Sequence, residues 1–302
     1  MKKWWAAAAG MAVYTMGAGM YFSNRIMYMK KKEEDFIQNR EITAKRLDMK
    51  HFAELPKSEI TINSPSGYGL KCLFIEPNNT DKWIIISHGV TENKINSIKY
   101  MNIFLKRGFN AVIYDHRRHG ESGGKTSSYG HYEKFDLKAV VDELKSRKGP
   151  DITIGIHGES MGAATLLLYA GMLEDACDFY IADCPFSDFE DQLKHQIKKE
   201  VKLPSWTILP IGRTFIKIRD GYWTSEVSPI SVIKNIKKPV LFIHSLPDTF
   251  IPADMTKKLY QEKTGPKQLY LAPYGAHAQS YNENSQEYQE AIDQFLKELV
   301  FK

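Results

Sequence analysis

Gly158-Glu159-Ser160-Met161-Gly162 constrains this chain more than any other segment, because it joins two runs that call for opposite local structures. Upstream, Ile152-Thr153-Ile154-Gly155-Ile156 is short, apolar and β-branched, the pattern of a buried strand. Downstream, Ala163-Ala164-Thr165-Leu166-Leu167-Leu168-Tyr169-Ala170 reads as a helix. A turn this sharp forces Ser160 into strained backbone angles, and only glycine-sized residues two positions either side let strand and helix approach so closely. Ser160 Oγ then stands at a helix N-terminus, where the Met161 N–H has no intrahelical partner and can stabilise a developing negative charge.

A serine hydroxyl is a weak nucleophile until a base takes its proton, and the base needs a carboxylate behind it. The apolar run Pro239-Val240-Leu241-Phe242-Ile243-His244 predicts a strand, and Asp248 follows in the turn at its C-terminal end. After one more strand, Gln268-Leu269-Tyr270-Leu271, His277 lies in the small-residue loop Tyr274-Gly275-Ala276-His277-Ala278. The expected relay is Ser160 as nucleophile, His277 as base and Asp248 as the orienting acid. Asp248 could instead cap the helix near residues 254–260. Asp183, Asp188 and Asp191, after the strand Phe179-Tyr180-Ile181-Ala182, are rival acids. A second oxyanion donor is expected from the loop after Lys82-Trp83-Ile84-Ile85-Ile86-Ser87, where Gly89 lets the chain turn and aim the Val90 N–H. His51, His131 and His195 lack a strand-end setting and read as surface residues.

These segments, with Tyr114-Asp115-His116-Arg117-Arg118-His119-Gly120-Glu121-Ser122, resemble the α/β-hydrolases over roughly residues 59–300. The resemblance is to small membrane-anchored serine hydrolases of Gram-positive bacteria in particular. It implies the triad order Ser, acid, His and a mostly parallel, doubly wound sheet. Where relatives carry His-Gly-x-x-Asp, this chain has His244-Ser245-Leu246-Pro247-Asp248. The histidine-rich loop after Tyr114 is expected to be structural, with Asp115 and the arginines fixing it beside the oxyanion site.

Strand and helix patterns alternate from residue 82 to 157, which argues independently for a parallel sheet with helices on both faces. Residues 57–302 are expected to form the hydrolase domain, with 185–237 interrupting the alternation as a lid insertion. Within it, a basic amphipathic stretch runs to Lys202, and Phe186, Trp206, Ile208, Leu209 and Trp223 are candidates for an apolar substrate pocket. Residues 29–56 are charged and predict an exposed linker helix. Residues 1–28 differ in kind: Trp4 to Phe22 carries no charge, is flanked by Lys2, Lys3 and Arg25, and approaches the ~20 residues of a membrane-spanning helix. A single-pass anchor is expected there, with a cleaved signal peptide as the alternative. Charge balance taken literally favours an inward catalytic domain, but the short Lys2-Lys3 start resembles a signal-anchor leader and the family resemblance agrees, so an extracellular catalytic domain is expected.

The net charge of +5 is dispersed, and no basic stripe interleaves with aromatics, so no nucleic-acid partner is expected. Cys72, Cys177 and Cys184 have no metal-ligand spacing, and no phosphate-cradling loop occurs, so neither metal nor cofactor is expected. The expected substrate is a small-molecule acyl ester or a peptide, since a serine relay does not choose between ester and amide. A non-catalytic anchored module that kept the fold is the reading from a different class.

Overall fold

The computed structural model describes residues 2–201 and 204–301; Lys202, at the end of the basic stretch, lies outside them. Eight strands form one sheet in the order β1-β2-β4-β3-β5-β6-β7-β8. β1 (Lys57–Asn63) and β2 (Gly69–Ile75) are an antiparallel pair, and β2 runs antiparallel to β4 (Asn110–Tyr114). The remaining pairings are parallel, through β3 (Lys82–Ser87), β5 (Thr153–Glu159), β6 (Phe179–Asp183), β7 (Val240–Ser245) and β8 (Lys267–Ala272).

Helices of eight residues or more are α1 (Lys2–Met27), α2 (Glu34–Thr43), α3 (Lys94–Leu105), α4 (Glu133–Lys148), α5 (Met161–Leu168), α6 (Phe189–Gln196), α7 (Ser205–Asp220), α8 (Ala253–Glu262) and α9 (Ser285–Phe295). The central strands are buried and mostly apolar because helices cover both faces, with polar residues gathering toward their C-terminal ends. Along β3 the alternation of side chains divides the core: Ile85 packs with Val140, Leu144 and Leu166, whereas Ile84 and Ile86 pack with Ile98, Phe104 and Tyr288. Parallel strands direct all their C-terminal ends to one rim, and the loops after β3, β5, β6 and β7 gather there.

Two N-terminal expectations need correction. Residues 29–56 are not an exposed linker. They hold α2 and a short helix, Met49–Glu54, and bury Ile37, Leu47 and Phe52 in the core. Its charges pair within the segment and with the body: Arg40 and Arg46 with Glu41, and Arg40 and Lys32 with Glu92. A charged sequence therefore concealed a packed one.

The apolar N-terminal stretch does form a helix of 26 residues, α1. However, no helix among the described residues is long and apolar enough to cross a membrane. Glycine, alanine, tyrosine and tryptophan make the stretch uncharged without making it strongly apolar. Its C-terminal half also packs on protein, burying Gly19, Ser23 and Met27 at four-residue intervals. Arg219 of α7 reaches Ser23 Oγ at 2.5 Å and Asn24 Oδ1 at 2.8 Å.

Candidate active site

The turn between β5 and α5 has the strain its sequence demands. Ser160 sits at φ 54°, ψ −112°. A Cβ at Gly158 would lie 2.5 Å from the Gly162 carbonyl, and one at Gly162 would lie 2.0 Å from the Ser87 carbonyl oxygen. Both contacts are to backbone, so neither position tolerates a side chain without moving the turn. The Ser160 N–H donates to the Asp183 carbonyl at 2.8 Å, which ties the elbow to the neighbouring strand.

Around Ser160 the three residues expected from the sequence are brought together. Ser160 Oγ lies 2.8 Å from His277 Nε2, and His277 Nδ1 lies 2.7 Å from Asp248 Oδ2. With a carboxylate at Nδ1, the proton belongs on that nitrogen, leaving Nε2 to accept from the hydroxyl. Asp248 Oδ1 accepts from the backbone N–H of Phe250 at 2.8 Å and of Ile251 at 3.0 Å. Burial opposes ionisation of this carboxyl, but its hydrogen bonds from His244 and His277 outweigh burial and hold it well below the usual carboxylate range. The turn carrying Asp248 forms with Ser245 in place of glycine because Ser245 needs no positive φ. Its hydroxyl lies 3.0 Å from that of Ser280.

His244 was not singled out from the sequence, and it is the fourth member of this network. Its Nε2 faces two acceptors, Asp248 Oδ2 at 3.1 Å and the Ile251 carbonyl at 2.9 Å, while Nδ1 lies 2.7 Å from Thr256 Oγ1. Two acceptors at Nε2 place the proton there. The rival acids are occupied elsewhere. Asp183 is buried and accepts from Ser280 and Tyr288, Asp188 caps the N-terminus of α6, and Asp191 pairs with Lys194. Burial, with Glu159 nearby, pushes Asp183 up to about 7.

The loop after β3 packs directly on the elbow, since a Cβ at Gly89 would meet Glu159 Oε1 at 3.0 Å and Ser160 Cβ at 3.5 Å. The Met161 and Val90 N–H groups donate to no other group among the described residues. Two free N–H groups beside a serine hydroxyl can bind an oxyanion. Asp115 holds this region by accepting from the Lys94 backbone at 2.8 Å and from Glu121 at 3.0 Å. The arginines were expected to share that task, but Arg117 and Arg118 reach Thr126, Ser128 and the Met29 carbonyl instead. Neutral histidines do the holding: His119 Nε2 accepts from the Thr91 N–H at 3.1 Å, and His88 Nε2 accepts from the His116 N–H at 3.0 Å. Burial depresses the pKa of both, to about 3 for His119.

Ser160 opens onto two cavities. One, of about 140 Å³, is walled by Met161, Phe186, Phe189, Leu193, Ile208 and Leu209, and closed on one side by Phe22, Ile26 and Met29 of α1 and the segment after it. Phe186, a candidate from the sequence, is one of its walls. Trp206 and Trp223 do not line it: they are 76% and 39% exposed. The contribution of α1 carried no sequence signal, since a hydrophobic N-terminal stretch has no marked partner. The second cavity, of about 220 Å³, is the more polar of the two and includes His277, Lys32, Arg40, Lys99, Glu92 and Glu159.

With this geometry in place, likenesses to known proteins acquire meaning. Residues 78–215 match the family model described as Hydrolase_4: Serine aminopeptidase, S33. The uncharacterized protein YqkD of Bacillus subtilis (strain 168) is 48% identical over 300 residues, covering 99% of this chain and 98% of that one. The uncharacterized membrane protein YNL320W of Saccharomyces cerevisiae is 24% identical over 250 residues, covering 82% of each chain. Among solved structures, the Pyrococcus furiosus esterase Pf2001 superposes with a TM-score of 0.67 at 25% identity, over 84% of this chain and 96% of the esterase. The chain belongs to one family with YqkD, and it is an enzyme of the α/β-hydrolase superfamily, a serine hydrolase.

Proposed function

We propose that this enzyme cleaves carboxylic esters bearing an apolar acyl group, through an acyl-enzyme formed on Ser160. His277 Nε2 takes the Ser160 proton as Oγ attacks the carbonyl carbon, and Asp248 holds the imidazole in position and stabilises the imidazolium. The Met161 and Val90 N–H groups receive the oxyanion. The imidazolium returns its proton to the departing alcohol oxygen, and water then attacks the acyl-enzyme by the same route. The observation that carries this reading is the unbroken path of hydrogen bonds from Ser160 through His277 to Asp248, opening on a cavity with apolar walls.

The cavity volume is close to that of an engineered apolar cavity that takes benzene (~150 Å³), which suits acyl chains of about four to eight carbons. A fluorophosphonate should label the wild type and not Ser160→Ala, and p-nitrophenyl esters should be cleaved fastest in that length range. The family description favours a second reading, an aminopeptidase. Aminoacyl anilides cleaved faster than the esters would replace the esterase reading with that one. Absence of labelling would favour a non-catalytic role.

The projecting part of α1 leaves Trp4, Trp5, Met11, Val13, Tyr14 and Met16 exposed. We propose that this part lies in a membrane interface, where tryptophan, tyrosine and the leading lysines are well placed. The membrane description of the yeast relative supports that placement. Binding to vesicles containing anionic lipid should fall at least tenfold when residues 2–14 are removed. Unchanged binding would refute it.

A further inference from the structure

The two cavities at Ser160 are not equivalent, and His277 distinguishes them. Its ring lines the polar cavity and is absent from the apolar one. The group that gives a proton to the leaving oxygen must face that oxygen. The alcohol half of an ester therefore occupies the polar cavity when its acyl half occupies the apolar one.

The polar cavity is rich in charge, and its donors and acceptors are unequally used. Glu92 is spent: it accepts from Arg40 Nη1 at 3.0 Å and Nη2 at 2.9 Å, and from Lys32. Glu159 is also engaged, accepting from Tyr100 at 2.6 Å and from one Asn96 amide shared between its oxygens at 3.2 and 3.4 Å. Lys99 is different. Its side chain is only 3% exposed, yet its ammonium comes no nearer than 3.5 Å to Glu159 Oε2, longer than the ~2.7–2.9 Å of an ammonium–carboxylate hydrogen bond. The ammonium also lies 4.8 Å from the Tyr100 ring centre. A buried ammonium with N–H donors to spare, in a cavity where three basic side chains, Lys32, Arg40 and Lys99, face two carboxylates that already accept hydrogen bonds, favours an anion over a cation.

Resting on the esterase reading above, we propose that the polar cavity recognises an anionic group on the alcohol half of the substrate, with Lys99 as its main donor and Lys32 as its second. The substrate class is an amphiphilic ester: a short apolar acyl chain joined to a compact alcohol bearing a carboxylate or phosphate. Lys99 acts here as a specificity residue; it takes no part in bond cleavage.

A matched pair of chromogenic esters tests this with the full-length enzyme. 2-Nitrophenyl hexanoate and 4-nitro-3-(hexanoyloxy)benzoate differ only by a carboxylate on the leaving group. The ratio of their kcat/KM values should favour the anionic ester at least fivefold in low salt, and this preference should shrink as salt is added. Lys99→Met should reduce the ratio at least fivefold relative to wild type. Lys32 is partly exposed and carries less risk to folding, so Lys32→Met should lower the ratio as well, about threefold, even if the Lys99 variant proves unstable. A wild-type ratio below fivefold, or Lys variants that slow both esters equally, would overturn the inference. Turnover of both esters without charge preference would leave the esterase reading standing. Failure to cleave either, with no fluorophosphonate labelling, would remove both.

Discussion

Asp248→Asn tests the relay most sharply, because all four of its hydrogen-bond partners are donors. Oδ1 accepts from two backbone N–H groups, and Oδ2 accepts from His277 and His244. An amide brings two hydrogens of its own and must set them against one of these pairs. Backbone N–H groups cannot give up their hydrogen, so placing the amide against Phe250 and Ile251 would sacrifice two buried hydrogen bonds, roughly 1.5–3 kcal/mol each when the acceptor is charged. An imidazole can move its proton to the other nitrogen. The amide NH₂ should therefore turn toward His277, whose Nδ1 becomes the acceptor and whose Nε2 becomes protonated. That tautomer offers Ser160 no base. The expected loss in kcat is about 10⁴-fold, or about 5.4 kcal/mol, with the fold retained. Steady-state hydrolysis of p-nitrophenyl hexanoate, read against Ser160→Ala as the floor, measures it. Asp183→Asn and Asp188→Asn should keep most of the activity in the same assay. If Asp248→Asn stayed within tenfold of wild type while Asp183→Asn fell by thousands, the acid would have been misassigned.

Gly162→Ala would press a methyl group into the Ser87 carbonyl oxygen, so we expect at least a hundredfold loss of kcat/KM and a lowered melting temperature; near-wild-type turnover would contradict the close approach. Ile208→Trp, which fills the apolar cavity, should lower hexanoate turnover at least tenfold relative to acetate. Glu92 is pulled the other way from Asp183: burial would raise its pKa, but Arg40 and Lys32 lower it from 4.5 to about 2. A depressed carboxylate stabilises the fold above its unfolded pKa and loses that contribution as pH falls. Roughly 3 kcal/mol should therefore disappear between about pH 4.5 and 2, seen as a melting-temperature deficit of Glu92→Gln that is full at pH 7 and shrinks toward pH 2. A deficit independent of pH would refute the assignment.

The strand-turn-helix around Ser160, the parallel core strands and the positions of Asp248 and His277 were all legible in the sequence, because each rests on local rules. Alternation, glycine at a forced turn and acids at strand ends are properties of a few consecutive residues. His244 was hidden, since a histidine ending a buried strand looks like core until Asp248 is seen to fold back on it. The holding roles of His88 and His119 were hidden because their backbone partners, the N–H groups of His116 and Thr91, lie on other segments, and the arginines drew attention from a loop they do not hold. Trp206 and Trp223 misled because an aromatic in an insertion reveals nothing about which way it faces.

The sequence by itself determined the mostly parallel α/β architecture and the tight turn at Ser160, because local sterics and hydrophobic periodicity leave few alternatives. Only the tertiary structure decided what surrounds Ser160. Residues 22 to 29 wall one cavity and residues 32 to 40 charge the other, although both segments lie more than a hundred positions from Ser160. Their place is set by packing, by hydrogen bonds from Arg219 of α7 to Ser23 and Asn24, and by ion pairs of Lys32 and Arg40 with Glu92, contacts between distant residues that no short stretch of sequence encodes.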